Sequence, residues 1–319
     1  MKPPHAKATA AEPSAVNAVH DSSTRSFYEA DARARIAGLL DRASFREFVG
    51  PCRRMASPHL TPLDQPGAFD DGVVVGEGLL RGRRVLIAAQ QGAFLGGGVG
   101  EVHGAKLTGL LERAVTERPA AVLLLLDTGG VRLHEANAGL IAISEILRAT
   151  LAARAAGVAV LALIGSGNGA FGGMGIVARC CSAVLMSEEG RLSLSGPEVI
   201  ETVRGVEEFD ARDRALVWRV TGGKHRFLLG EANLLVADRI DAFADAVLAA
   251  LDGLHESGDS LVALEREQTR LSQRIADYGD CRDGLEIWRR QGIAEPERLP
   301  LLDTAEFLAA AATRGTPCN

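Results

Sequence analysis

One apolar run that ends at a pair of glycines constrains the fold of this chain more than any other stretch. Residues 121–126 have the sequence AVLLLL, and Asp127-Thr128-Gly129-Gly130 follows directly. The run predicts a buried strand, and the residues after the glycines predict a helix up to about Ala155. A glycine turn at a helix N-terminus leaves backbone N–H groups free, so it can hold a phosphate or an oxyanion. The helical spacing predicts inward positions for Leu133, Leu140, Ile143 and Leu147.

The same order of strand, glycines and helix recurs along the middle of the chain. Glycine-rich segments at 94–100 and 165–175 each precede a helical pattern. Strands that alternate with helices at this spacing predict a parallel α/β sheet with both faces covered. The further predicted strands are 73–75, 84–89, 158–164 and 183–186. The further predicted helices are 102–116, with Leu107, Leu110, Leu111 and Ala114 inward, and one entered through Ser195-Gly196-Pro197.

The two ends of the chain carry different patterns from the middle. Residues 1–24 are rich in Ala, Pro, His and Ser without periodicity, which predicts a flexible tail. Residues 26–50 predict a helix with Tyr28, Ala32, Ile36 and Leu39 or Leu40 on one side, and the prolines of 51–71 predict a loop. Nearly everything after Asp241 predicts helix. We therefore expect a main domain over 25–250 and a helical extension over 251–319.

Composition excludes several classes of function. The net charge of −6 argues against a broad nucleic-acid footprint. The apolar runs fall short of the roughly 20 residues of a membrane helix, and the N-terminus lacks a secretory signal, so we expect a cytoplasmic protein. The five cysteines form no CxxC pair, which argues against a disulfide framework and a metal site; they are Cys52, Cys180, Cys181, Cys281 and Cys318.

Two side-chain motifs resemble the signatures of other enzymes, but the surrounding sequence does not match those signatures. Asp127-Thr128-Gly129 matches the signature of aspartic proteases, but those enzymes use two such aspartates in an all-β fold, and here a helix follows. His134-Glu135 begins a zinc-binding HExxH pattern, but Ala138 stands where the second histidine is needed. We expect a solvated or capping role for His134 and Glu135.

A dinucleotide site is a better match and stays an alternative at this point. Residues 167–172 follow the GxGxxG pattern after a predicted strand, with Glu188 and Glu189 about 20 residues further on. The pattern lies in mid-chain, after an earlier strand–turn–helix unit, and Gly173 and Gly175 prolong the glycine-rich stretch. These features disfavour a dinucleotide fold.

Four motifs occur in an order that resembles a known enzyme family. They are FLGGGVGEVHGAK (94–106), DTGGVRLHE (127–135), FGGMG (171–175) and SGPEVI (195–200). This order resembles the carboxyltransferase branch of the crotonase superfamily, including the β-type subunit of acetyl-CoA carboxylase, over about Gly72 to Phe243. The resemblance implies a crotonase-like fold, a spiral of ββα units, with a helical C-terminal region.

The N-terminal part narrows the resemblance. SFYEADARARIAGLLD (26–41) and SPHL (57–60) are similar to the β subunits of biotin-independent malonate decarboxylases. The cysteine zinc ribbon of the carboxylase β subunit and a biotin-attachment AMKM motif are missing from this sequence. The resemblance implies a carboxy-lyase component that converts malonyl-S-acyl carrier protein into acetyl-S-acyl carrier protein and CO2. It also implies a γ subunit, an acyl carrier protein subunit and an acyl carrier transferase subunit as partners.

The resemblance also implies which residues form the site. The amides of Gly129 and Gly130 and those of Gly172 and Gly173 would form two oxyanion holes, one for a thioester enolate and one for the departing carboxylate. Gly96, Gly97, Gly98, Ser195 and Gly196 would shape the pocket for the substrate. The substrate would be carried on the CoA-derived prosthetic arm of the carrier protein, with no cofactor bound covalently to this chain.

Three questions stay open from the sequence. The residues identify no acid that protonates the carbanion, and they assign no catalytic role to the side chains of Asp127 and Glu135. A biotin-dependent acyl-CoA carboxyltransferase is the alternative enzyme. A non-catalytic subunit that docks the carrier is the alternative of another class.

Overall fold

A mixed β-sheet organises the molecule, and its strands lie side by side in the order of the sequence. The structure is a computed structural model that describes residues 25–254 and 260–312. Within these ranges the sheet has seven strands. Strands β1 to β3 are antiparallel and β3 to β7 are parallel. The strands are β1 (Arg46–Glu47), β2 (Val73–Leu80), β3 (Arg83–Gln90), β4 (Ala121–Leu126), β5 (Ala159–Ile164), β6 (Ala183–Ser187) and β7 (Leu234–Val236).

Helices connect the parallel strands and continue beyond the sheet. In chain order they are α1 (Ala32–Leu39), α2 (Glu101–Glu117), α3 (Asn137–Ala155), α4 (Gly172–Cys180), α5 (Pro197–Arg204), α6 (Arg214–Thr221), α7 (Gly223–Leu228), α8 (Ile240–Gly253), α9 (Leu261–Tyr278), α10 (Gly284–Arg290) and α11 (Thr304–Ala312). In the described part of the chain, none of them combines the length and apolar character that a membrane span needs.

The central strands are buried on both faces, as their continuous apolar sequences predict. In β4 every side chain is buried, and alternate residues point to opposite layers. Val122 and Leu124 pack with α2, α3 and α4, whereas Leu123 and Leu125 pack with α1 and α8. The predicted α/β architecture and the inward positions on α2 are therefore confirmed.

Two of the four side chains predicted to point inward after the first glycine turn are exposed. Leu133 is 84% exposed and Leu140 is 56% exposed, although Ile143 is buried as predicted. The chain makes a short 3-10 turn after the glycines and then passes through Ala136, which has φ 47°, before α3 begins at Asn137. Leu133 lies before this break and does not belong to α3. Within α3 the buried side begins with Gly139, Ala142 and Ile143, which leaves Leu140 on the outward side, and Leu147 is half-buried.

The N-terminal helix is shorter than predicted. It is confined to α1, where the Asp31 side chain accepts a hydrogen bond from the Ala34 amide at 2.8 Å. Residues 46–47 instead form the edge strand β1, and Tyr28 lies before the helix and is half-buried. Elements α6, α7 and β7 were not predicted, and residues 51–71 form a loop with two 3-10 turns.

The predicted tail over 1–24, residue Cys318 and the end of the helical extension lie outside the described residues. The division at residue 250 stays a prediction.

A stacked aromatic pair provides a test of the layer formed by α1 and α8. Phe27 and Phe243 have ring centroids 4.0 Å apart and are fully buried. We expect Phe243→Ala to lower the free energy of unfolding by about 3–5 kcal/mol, because the cavity and the lost apolar burial add. Chemical denaturation measures this, with Phe69→Ala as the matched control. Phe69 is exposed, so a loss of similar size there would contradict the assignment.

Candidate active site

The two glycine segments that follow β3 and β4 are hydrogen bonded to each other. The Gly129 amide donates to the Gly96 carbonyl at 2.9 Å, and the Val99 amide donates to the Gly130 carbonyl at 2.9 Å. Gly97 has φ +67°, and a Cβ there would overlap the carbonyl oxygen of Asp127. Since no other residue fits this approach, glycine is required at position 97.

The turn after β4 also lies against the segment that follows β5. The Thr128 amide donates to the Gly169 carbonyl at 2.8 Å, and the Phe171 amide donates back to the Thr128 carbonyl at 3.1 Å. A Cβ built on Gly172 would lie 3.3 Å from the Cα of Gly130. The two turns predicted to form the oxyanion holes are therefore direct neighbours.

The fourth motif completes this layer. The Gly172 amide donates to the Leu194 carbonyl at 2.8 Å, so Ser195 and Gly196 follow directly beside the second turn. Ser195 lines a pocket of about 360 Å³ together with Arg204 and Arg282. All nine predicted site residues thus lie in one layer at the carboxyl ends of the parallel strands.

The four predicted oxyanion donors differ in what they already bind. The amides of Gly129 and Gly172 donate to backbone carbonyls, and the Gly130 amide donates to the Thr128 hydroxyl at 3.1 Å. The Gly173 amide has no acceptor among the described residues, and neither has that of Met174. Both belong to the first turn of α4, where the N-terminal dipole attracts anions. The sequence did not single out Met174.

A buried ion pair fixes the spacing of the two turns. Arg35 Nη1 donates to Asp127 Oδ2 at 3.0 Å, and Asp127 Oδ1 accepts from the Asn168 amide at 3.0 Å and from its Nδ2 at 3.1 Å. Arg35 Nε also donates to the Phe27 carbonyl at 2.8 Å. Both charged side chains are almost completely buried. Asp127 therefore links α1, the first turn and the second turn.

Sequence reasoning missed Arg35, although a signal was present. Arg35 lies three residues after Ala32 and next to Ile36, so it belongs to the inward stripe of α1. An arginine on the buried side of a helix needs an anionic partner. The partner, Asp127, lies 92 residues away, and no spacing rule identifies it.

A second buried network supports the other side of the first turn. Arg132 Nη1 donates to Asp71 Oδ2 at 2.8 Å and to Glu135 Oε1 at 2.9 Å. Glu135 Oε2 accepts from the Glu101 amide at 2.7 Å, so this carboxylate caps α2. Although burial raises the pKa of Glu135, the Glu101 amide and Arg132 bring it below the ordinary value. The capping role expected for Glu135 is confirmed, and His134 is exposed.

The histidine behind this network is neutral. Burial of His103, reinforced by the charges of Arg132 and Lys106, lowers its pKa well below the usual value. Its Nδ1 donates to the Asp71 carbonyl at 3.2 Å, and its Nε2 accepts from Gln90 Nε2 at 3.1 Å. Gln90 Oε1 in turn accepts from the Asp127 amide at 3.1 Å. His103 thus supports the turn and does not reach the opening as an acid.

The described residues contain no cluster of three or more His, Cys, Asp or Glu side chains that could hold a metal ion. No disulfide joins any of the four cysteines in this part of the chain.

Comparisons with known proteins agree on one family. A sequence model of the carboxyl transferase domain matches residues 29–226. A malonyl-S-ACP:biotin-protein carboxyltransferase of Malonomonas rubra is 40% identical over 90% of this chain and 96% of its own length. In a Pseudomonas malonate decarboxylase hetero-tetramer in complex with malonate, one chain is 41% identical, with a TM-score of 0.77, over 84% of this chain and 98% of that one. The Pseudomonas malonate decarboxylase MdcD-MdcE hetero-dimer has a chain that is 40% identical, with a TM-score of 0.63, and the match covers 78% of this chain and 97% of that one.

The role of Asp127 as a link between the turns can be tested by a double-mutant cycle. We expect Asp127→Asn to lower the free energy of unfolding by about 3–5 kcal/mol, because it leaves the Arg35 guanidinium buried without a carboxylate. In an Arg35→Met background the same change should cost much less. Urea denaturation measures both.

The control for this cycle is the exposed pair of Arg298 and Glu295. Glu295→Gln should change stability by less than about 1 kcal/mol. Equal losses for Asp127→Asn with and without Arg35 would show that the two side chains are not coupled.

Proposed function

The chain belongs to the carboxyl transferase domain family, and on this basis we propose that it is the β subunit of a malonate decarboxylase. In this function it removes CO2 from malonyl-S-acyl carrier protein and leaves acetyl-S-acyl carrier protein. The observation that carries the proposal is the contact between the two glycine turns, with the unpartnered Gly173 amide beside them. The identity to a chain of the Pseudomonas decarboxylase supports the choice of reaction.

This chemistry is served by hydrogen-bond donors that do not ionise, such as backbone N–H groups. When the bond between the malonyl carboxylate and C2 breaks, its electron pair moves into the thioester carbonyl, and CO2 leaves. The enolate oxygen is then bound more tightly than the neutral carbonyl oxygen by preorganised N–H donors. Loss of one such donor typically costs about 2.7–4 kcal/mol of transition-state stabilisation. Protonation of C2 completes acetyl-S-acyl carrier protein.

We assign the two oxyanion holes to the amides predicted from the sequence. Gly173 supplies a free donor at the positive end of α4, next to Gly172. Gly130 donates to a neutral hydroxyl within its own turn. An anionic oxygen is the stronger acceptor and can replace that hydroxyl. Gly129 and Gly172 hold the shape of the turns through their backbone bonds and can share their hydrogens with a ligand oxygen.

The pocket beside the second turn is suited to an extended acyl arm. Leu194 and Ser195 line it next to the Gly172 amide. Its lining also includes Arg204 and Arg282, together with Glu208. Arginine is well matched to a phosphate such as that of a pantetheine arm. We propose that Ser195 and Gly196 form one side of the substrate pocket and that Gly96, Gly97 and Gly98 form the other. The substrate then arrives on a CoA-derived prosthetic arm, with no cofactor attached to this chain.

Apolar side chains exposed around the site favour a partner subunit. Leu140, Leu194, Val199 and Val203 are all exposed on elements that carry or adjoin the glycine turns. The solved relatives are a hetero-tetramer and a hetero-dimer. We propose that a γ subunit covers this face and that acyl carrier protein and acyl carrier transferase subunits complete the assembly.

Transfer of the carboxyl group to biotin is the second candidate. The Malonomonas rubra relative is named as a biotin-protein carboxyltransferase and is as similar in sequence as the Pseudomonas chain. The same oxyanion holes would serve both reactions, because both pass through a malonyl-derived enolate. A reconstituted complex with malonyl-S-acyl carrier protein labelled in the free carboxylate separates them. Labelled CO2 released without any biotin protein, and in the presence of avidin, supports the decarboxylase; release that requires a biotin protein refutes it.

Gly130→Ala provides the test of the site itself. A Cβ built at position 130 has nothing within 4 Å, so it would occupy open space beside the proposed donors, and the residue has φ +136°. We expect turnover of the reconstituted complex to fall about 100-fold, because the new methyl group displaces the thioester oxygen from its donors. The backbone conformation adds about 1–2 kcal/mol of destabilisation.

Gly82→Ala is the matched control for backbone strain. Gly82 has φ +79°, has nothing within 4 Å of a built Cβ, and lies in the turn between β2 and β3 at the opposite end of the sheet. The Gly82→Ala variant should lose a similar free energy of unfolding to Gly130→Ala and keep full turnover. Full turnover in Gly130→Ala would refute the oxyanion assignment. It would favour a subunit that only docks the carrier.

A further inference from the structure

Arg191 is a half-buried cation that forms no ion pair within the described part of the chain. It follows β6, at the carboxyl ends of the parallel strands. One guanidinium nitrogen donates to the Gly167 carbonyl, and the guanidinium carbon lies 5.7 Å from the ring centroid of Phe171 and 5.3 Å from that of Trp218. A guanidinium taken out of water needs such compensation, and here a carbonyl and two aromatic rings supply it. The Arg191 side chain therefore joins the second glycine turn to α6.

The backbone of Arg191 is bonded to the same turn. Its carbonyl accepts a hydrogen bond from the Ala170 amide at 2.8 Å. A Cβ built on Gly169, which has φ +68°, would lie 2.5 Å from that carbonyl oxygen. These backbone contacts do not depend on the side chain at position 191. A shorter side chain there removes only the bond to the Gly167 carbonyl and the contacts with the two rings.

Phe171 transmits the contact with Arg191 to the proposed oxyanion donors. It is the N-cap residue of α4 and directly precedes Gly172 and Gly173. Phe171 is buried, and its amide donates to the Thr128 carbonyl at 3.1 Å. Two successive glycines give the backbone after Phe171 unusual freedom to rotate. The direction of the Gly173 amide therefore depends on how firmly Phe171 is held.

We propose that Arg191 is a positioning residue that aims the Gly173 amide at the substrate oxygen by holding Phe171 at the start of α4. This role rests on the function proposed above. Amide donors stabilise a transition state only when they are aligned before the reaction. Misalignment weakens binding of the anionic transition state more than binding of the neutral thioester. The expected result of losing Arg191 is a lower kcat at an unchanged KM.

Arg191→Ala in the reconstituted complex tests this role. The kcat should fall about 10- to 100-fold, while the KM for malonyl-S-acyl carrier protein stays within about two-fold of the wild-type value. Guanidinium ion at millimolar concentrations, far below those that unfold proteins, should restore part of the kcat. It can fill the space of the missing side chain and bind the Gly167 carbonyl. Methylammonium should not restore kcat, because it lacks the planar array of donors.

Arg154→Ala is the matched control at the other end of α4. Arg154 Nη1 donates to the Cys180 carbonyl at 2.7 Å, where α4 ends. The variant should keep the wild-type kcat, because Phe171 and the start of α4 stay in place. An equal fall in kcat for Arg154→Ala would show that any weaker attachment of α4 lowers activity. That result would overturn the role assigned to Arg191.

A double-mutant cycle on the full chain tests the contact without the reaction. Phe171→Leu removes the aromatic ring and keeps an apolar side chain. If Arg191 holds this ring, Phe171→Leu should lower the free energy of unfolding less in the Arg191→Ala background than in the wild type. Urea denaturation measures both losses.

The outcomes separate this role from the proposed function. Additive losses of stability overturn the role of Arg191, as does a wild-type kcat in Arg191→Ala. A fall in kcat that guanidinium does not restore also overturns it. A wild-type complex that releases no CO2 refutes the proposed function itself, and the role of Arg191 with it.

Discussion

The buried carboxylate of Asp127 is the group on which the geometry of the candidate site depends. One of its oxygens binds the Arg35 guanidinium from α1, and the other binds the backbone and side chain of Asn168. Three segments that are remote in sequence meet at this one group. Since a carboxylate and a guanidinium out of water are costly unless both are fully hydrogen bonded, the contact admits very little freedom of position. The positions of the two glycine turns are therefore fixed relative to each other.

Rigidity matters here because the proposed chemistry relies on amides and not on side chains. An N–H group stabilises developing charge only when it is already aimed at the oxygen before the reaction. The Arg132 network and the neutral His103 support the first turn from behind, as the Asp127 pair does from the side. The titratable groups near the turns therefore act by holding backbone in place. The Asp127-Thr128-Gly129 motif therefore lies at the candidate site because Asp127 positions the turns, and the proposed chemistry does not require Asp127 to touch the substrate.

Apolar side chains near the candidate site are exposed, unlike those of the core. Around the glycine turns, at the carboxyl ends of the parallel strands, Leu194 and Val203 are exposed in the described part of the chain. This apolar surface lies where a γ subunit is proposed to bind, which is consistent with relatives that occur as hetero-oligomers.

The sequence by itself determined the central buried strands, the α/β class and the position of each glycine motif. These are local properties: a continuous apolar run specifies a buried strand, and a glycine where backbones touch cannot be replaced. Only the tertiary structure decided the partners of Arg35 and Arg132 and the exposure of Leu133 and Leu140. An ion pair that spans 92 residues has no sequence period. The 3.6-residue periodicity predicts which residues share one side of a helix, but the neighbouring elements decide which side is buried.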